Sequence, residues 1–113
     1  MEYSLAYALA KKIEESEEYR LVKEAYEQLS KDPEAKRMFL DFRQRERELQ
    51  EKQLTGEEID SEEVERLKKL FDTIRLHQGI SRLMENESRL MLLYEDIQKI
   101  LAEPLGKLAE TIE

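Results

Sequence analysis

Turn-forming residues are so scarce in this chain that they leave room for little except long helices. The 113 residues include three glycines and two prolines, where average usage would put about 12 in every hundred. A β-rich domain needs frequent turns and a supply of branched and aromatic side chains. Here Leu, Glu, Lys, Arg, Gln and Ala dominate, and these lose little side-chain freedom in a helix. Apolar residues reach 40% and recur at spacings of three and four, so each helix can bury a stripe and the high charge does not signal disorder. The expected class is all-α: an antiparallel helical bundle or hairpin of about four to five helices in one domain, two of them long.

The few punctuating residues then mark the boundaries. A first helix over about 3–15 carries Leu5, Leu9 and Ile13 on one face. Ser16 caps a second, over about 16–31, because Glu17 and Glu18 fall in its first turn, where the helix dipole favours negative charge. Asp32-Pro33 is the sharpest signal, an N-cap followed by the residue best suited to the first helical position. The third helix runs over about 33–54 and ends at Thr55-Gly56, Gly tolerating the left-handed cap. Asp60, with Glu63 three residues on, starts a fourth helix over about 61–102. Its stripe of Val64, Leu67, Phe71 and Ile74 resumes out of phase at Ile80, Leu83 and Met84, which predicts a bend or a change of packing partner near 77–79, or else a sharp break at Gly79 that folds the two halves together. Pro104 and Gly106 close that helix and leave a short tail over 103–113.

At 1.5 Å per residue an unbroken 61–102 helix is about 63 Å long, while a compact chain of this length spans about 34 Å. The overhanging stripe, including Leu83, Met84, Leu90, Met91 and Tyr94, needs cover, because monomers rarely expose large apolar patches. Self-association is therefore expected, as a dimer or higher assembly, with Leu83, Leu90, Met91 and Tyr94 as the candidate interface. On the third helix, Phe39, Phe42, Arg43 and Arg47 form a candidate surface for a protein partner. The plainer reading of the mixed-charge run 43–48 is a solvated face laced with pairs four residues apart.

Composition removes most chemistry. With no Cys there is no disulfide, thiolate metal site or cysteine nucleophile. So few Gly leave no phosphate-cradling loop. His77 is the only imidazole, and a ferritin-like di-iron site needs Glu-x-x-His on two helices; Ile74 stands where that Glu would be. The serines lack a His-acid pair to activate them, and the carboxylate clusters are what helix first turns already favour. No catalytic residue, metal or cofactor is expected. The 27 acidic and 19 basic residues give a net charge of −8, which disfavours direct nucleic-acid binding. No apolar run approaches the roughly 18 residues of a membrane span, the N-terminus lacks the basic lead of a signal peptide, and the expected compartment is the cytoplasm.

Several segments resemble the YlbF/YmcA family of small helical bacterial proteins, most closely its YheA-like branch. They are Glu15-Ser16-Glu17-Glu18-Tyr19, Phe39-Leu40-Asp41-Phe42-Arg43, Ile80-Ser81-Arg82-Leu83, Glu87-Ser88-Arg89-Leu90 and Asp96-Ile97-Gln98-Lys99-Ile100. The stretch from Gln50 through Thr55-Gly56-Glu57-Glu58 is the most diagnostic. The resemblance implies a cytoplasmic, non-enzymatic, self-associating helical protein. Better-known relatives form complexes with each other and modulate an mRNA-cleaving endoribonuclease, with effects on competence, sporulation and biofilm formation. Those relatives can hold an iron–sulfur cluster through cysteines, which this chain lacks. The resulting expectation is a regulatory or adaptor protein acting through protein–protein contacts. The alternatives are a chaperone-like acidic holder of client proteins, and a hydrolase using clustered carboxylates, which would require a carboxyl group of raised pKa in a pocket.

Overall fold

The computed structural model describes residues 1–113 as five helices: α1 (Ser4–Glu14), α2 (Glu17–Ser30), α3 (Pro33–Thr55), α4 (Ser61–Ile74) and α5 (Gln78–Glu110). The fold is all-α. The chain divides into two compact units. One comprises Glu24–Met84; the other joins Met1–Lys23 to Glu85–Glu113. The division falls within α2 and within α5.

The central unit, Glu24–Met84, is organised by α3 and α4. Asp32 begins α3 by accepting a hydrogen bond from the Ala35 amide at 3.1 Å, with Pro33 at the first helical position. Gly56 ends it at φ 73°, its amide donating to the Lys52 carbonyl. Only a residue without Cβ adopts that left-handed geometry at little cost. After the turn, Asp60 caps α4 by accepting from the Glu62 amide at 3.0 Å. Lys52 Nζ donates to both carboxylate oxygens of Glu63 at 2.8 Å. Farther from the turn, Phe42 and Phe71 pack with ring centroids 5.7 Å apart. As α3 is followed backwards α4 is followed forwards, so the two helices are antiparallel.

This unit buries Leu29, Ala35, Phe39, Phe42, Ile74, Ile80 and Leu83, with Ile74, Ile80 and Leu83 wholly enclosed. Each large side chain so removed from water contributes about 1.5–3 kcal/mol against chain entropy.

Between α4 and α5 the sequence leaves open either a bend within one helix or a sharp break at Gly79. The structure has two helices, α4 ending at Ile74 and α5 beginning at Gln78. His77 occupies the junction. Its carbonyl accepts from the Ser81 amide at 2.9 Å and its Nδ1 accepts from the Ile80 amide at 3.2 Å. The imidazole therefore caps α5 as an Asn or Ser side chain caps other helices. Since Nδ1 is an acceptor, the proton of the neutral ring sits on Nε2, which donates to Asp32 Oδ2 at 3.3 Å. Gly79 makes room for this: a Cβ there would lie 3.0 Å from His77 Cε1 and 3.3 Å from Nδ1.

The terminal unit contains α1, the start of α2 and the C-terminal part of α5. Ser16 separates α1 from α2. Its Oγ donates to the Ile13 carbonyl at 2.6 Å and accepts from the Tyr19 amide at 3.2 Å. Only Ile13, Val22 and Asn86 are buried in this unit.

The tail expected over 103–113 is corrected by the structure, because α5 continues through Pro104 to Glu110. Proline removes one backbone donor and crowds the preceding turn. Its fixed φ is nevertheless helical, and Leu101, Ala102, Leu105, Lys107 and Leu108 around it all favour helix.

Candidate interaction surface

No cluster of three or more His, Cys, Asp or Glu side chains is placed to hold a metal ion. The carboxyls with displaced pKa move downward. Hydrogen bonding from Ser4 lowers Glu2, that from Arg20 lowers Glu17, and that from the Ala35 amide, with a smaller contribution from His77, lowers Asp32. A carboxyl acid for hydrolysis would need the opposite displacement. Lys52 is raised, chiefly by its hydrogen bond to Glu63. One open groove of the central unit is lined by Phe42, Leu67 and Phe71 with Glu46, Lys68 and Asp72 beside them.

The α3 surface expected to meet a partner is rearranged by packing. Phe39 and Phe42 are only 4% and 5% exposed, so they belong to the core of the central unit. They point inward because α4 covers that face, Phe71 lying against Phe42. Arg43 is half-buried with its guanidinium 4.8 Å from the centre of the Phe39 ring, a cation–π contact that ties it to the core. Of the four residues only Arg47 is exposed. The outward face of α3 is instead Lys36, Arg37, Leu40, Gln44 and Arg47.

The four candidate self-association residues separate in the same way. Leu83 is fully enclosed within the single copy. Leu90 is half-buried, while Met91 and Tyr94 are exposed. Those two belong to a set of exposed apolar side chains on the terminal unit that sequence reasoning passed over. On α5 the set continues with Ile100, Leu101, Leu105 and Leu108, and on α1 it includes Leu5 and Tyr7. Two signals in the sequence carried it. The run from Tyr3 to Ala10 has no charged residue, and apolar residues keep helical spacing on both sides of Pro104. The second was masked by reading Pro104 as a stop.

The class so defined is an all-α bundle protein whose most conspicuous surface is apolar. Residues 3–106 match the family described as control of competence regulator ComK, YlbF/YmcA. A UPF0342 protein of Oceanobacillus iheyensis is 44% identical over 109 residues, covering 96% of this chain and 93% of that one. The UPF0342 protein YheA of Bacillus subtilis is 40% identical over 111 residues, covering 98% and 95%. Among solved structures, a protein of unknown function (DUF964) from Bacillus stearothermophilus superposes with a TM-score of 0.85 at 31% identity, covering 98% of this chain and 97% of that one. The chain therefore belongs to the YlbF/YmcA family, in its YheA-like branch. No helix is long and apolar enough to cross a membrane.

Proposed function

We propose that this chain is a non-enzymatic regulatory or adaptor protein that self-associates and acts through protein–protein contacts in the cytoplasm. The family's description as a control of a competence regulator supports the regulatory part, and links to RNA decay or developmental regulation follow from the same kinship. One observation carries the contact-based reading. Leu5 and Tyr7 on α1 and Ile100, Leu101, Leu105 and Leu108 on α5 are all exposed large apolar side chains. Monomers seldom leave so much apolar area in water, and such patches mark interaction sites.

Capture of the tagged chain from its native host, with bound proteins identified by mass, tests the regulatory part. Recovery of a component of RNA decay or developmental control is the expected result. Recovery of the chain with itself alone would contradict the adaptor role. The client-holder alternative draws on the same apolar surface and is separated by a different readout. It requires suppression of the aggregation of an unfolded model client, whereas a surface filled by a second copy leaves client aggregation unchanged.

A further inference from the structure

The first half of α3 is cationic in a chain that is acidic as a whole. Between Lys36 and Arg47, five basic residues stand against two acidic ones, Asp41 and Glu46, although the net charge of the chain is −8. Both carboxylates are already engaged. Asp41 holds Arg45 at 3.1 Å and Glu46 holds Arg43 at 3.7 Å. Lys36, Arg37 and Arg47 have no carboxylate partner.

Helical spacing gathers those three cations into one surface. Lys36, Arg37, Leu40, Gln44 and Arg47 are all exposed and fall within about 100° of the helix circumference, on the side away from the buried Ala35, Phe39 and Phe42. No acidic residue enters that arc between positions 36 and 47, and Asp41 at its edge is turned to Arg45. Leu40, 53% exposed, lies among the cations in an open groove with Pro33, Lys36 and Arg37. Further along the helix Glu48 and Glu51 reverse the sign and end the patch.

We infer that this face of α3 receives an acidic amphipathic helix of a partner protein, with an apolar residue over Leu40 and carboxylates against Lys36, Arg37 and Arg47. The inference rests on the adaptor role proposed above and specifies the surface and the partner's chemistry. Arg37 and Arg47 are ten positions apart, about 15 Å along the axis, so the partner's acidic groups stand about three turns apart on either side of an apolar anchor. Guanidinium groups suit that task, because they grip carboxylates with two parallel hydrogen bonds. An apolar centre with charges at its rim is also how protein interfaces are built. Selectivity comes from contrast: the rest of the chain is acidic and repels such a helix, so the field steers it to this face. A nucleic-acid strand fits less well. Its phosphates would gain from the cations but leave Leu40 uncovered, and a continuous backbone would run onto Glu48 and Glu51.

Fluorescence anisotropy of the full chain with three labelled probes tests this. The first is a helical peptide of about five turns with a central Leu and Glu residues about three turns apart around it. The second replaces each Glu by Gln, and the third is single-stranded polyuridine RNA. The acidic peptide is expected to bind in the micromolar range, at least tenfold more tightly than its Gln counterpart and less tightly as salt rises. Arg37→Glu, Arg47→Glu and Leu40→Ser, all at exposed positions with retained helix checked by circular dichroism, are each expected to weaken it about tenfold. Lys107→Glu, an equal charge change at an exposed position of the terminal unit, should leave it unchanged. Failure of the acidic peptide to bind, equal binding of the Gln peptide, equal loss in Lys107→Glu, or preference for the RNA would each overturn the inference. So would an altered oligomeric state of Arg37→Glu, which would give the face to a second copy. Host capture repeated with Arg37→Glu separates this surface from the adaptor role. A regulatory partner held equally by wild type and variant would overturn the surface and leave the role standing, whereas a wild type that captures only itself would overturn both.

Discussion

The central and terminal units of this protein contain comparable helical material, yet they spend their apolar residues differently. Between Glu24 and Met84, seven apolar side chains from Leu29 to Leu83 are buried, and ionic and aromatic contacts span α3 and α4. In the terminal unit only Ile13, Val22 and Asn86 are buried, and Leu5, Tyr7, Met91, Leu105 and Leu108 face water. The difference does not come from hydrophobicity, since both regions carry helical stripes. It comes from whether a second helix of the same chain lies over the stripe. The central unit completes its core within one copy; the terminal unit leaves most of its apolar side chains in water.

Core truncation separates the two most sharply. Phe42→Ala removes a buried ring that packs on Phe71, and we expect a loss of about 3–5 kcal/mol in urea-unfolding free energy. Leu105→Ala, measured at dilutions where copies are separate, is expected to change it by about 0.5 kcal/mol or less. A large loss at Leu105 under those conditions would break the distinction between the units.

That contrast also shows what the sequence could convey. Helix starts and stops are local chemistry. Asp32-Pro33, Thr55-Gly56 and Asp60 act through hydrogen bonds to residues at most four positions away, so they are readable one segment at a time. The apolar stripe of α3 is equally plain, but periodicity says only that a face is covered, not by what. Phe39 and Phe42 therefore read as a partner surface until α4 is seen to occupy it. Leu83 fails for the same reason, being enclosed within its own unit. His77 was legible as a residue beside a break. Its role as a cap joined to Asp32 depends on a contact between residues 45 positions apart, which no local pattern records.

A smaller effect sharpens the account of the junction in the central unit. Gly→Ala in a helix ordinarily gains about 1 kcal/mol. At Gly79 the added methyl group would press on an imidazole held from both ends. Gly79→Ala alone is therefore expected to yield no gain, whereas in a His77→Ala background it recovers about 1 kcal/mol. Thermal unfolding of the four proteins in this cycle measures the coupling, and simple additivity would contradict the proposed cap.

The smallest expected effect concerns acid. The Asp32 carboxyl is held below its ordinary value of 3.8 by the Ala35 amide, with a smaller contribution from His77. A carboxyl whose pKa falls on folding stabilises the folded state above its unfolded pKa, and that contribution disappears as pH drops through the folded one. The stability deficit of Asp32→Asn should thus be fully developed at pH 7 and shrink below about pH 4. Urea midpoints of the two proteins at both pH values read it directly, and a deficit independent of pH would assign the effect to something other than the charge.

Amide hydrogen exchange followed across protein concentration addresses the division between the units most directly. Residues of α1 and of α5 beyond Gln98 should be protected at high concentration and exchange faster on dilution, while Phe39, Phe42 and Ile74 keep the same protection throughout. Equal, concentration-independent exchange in both regions would contradict the proposed self-association.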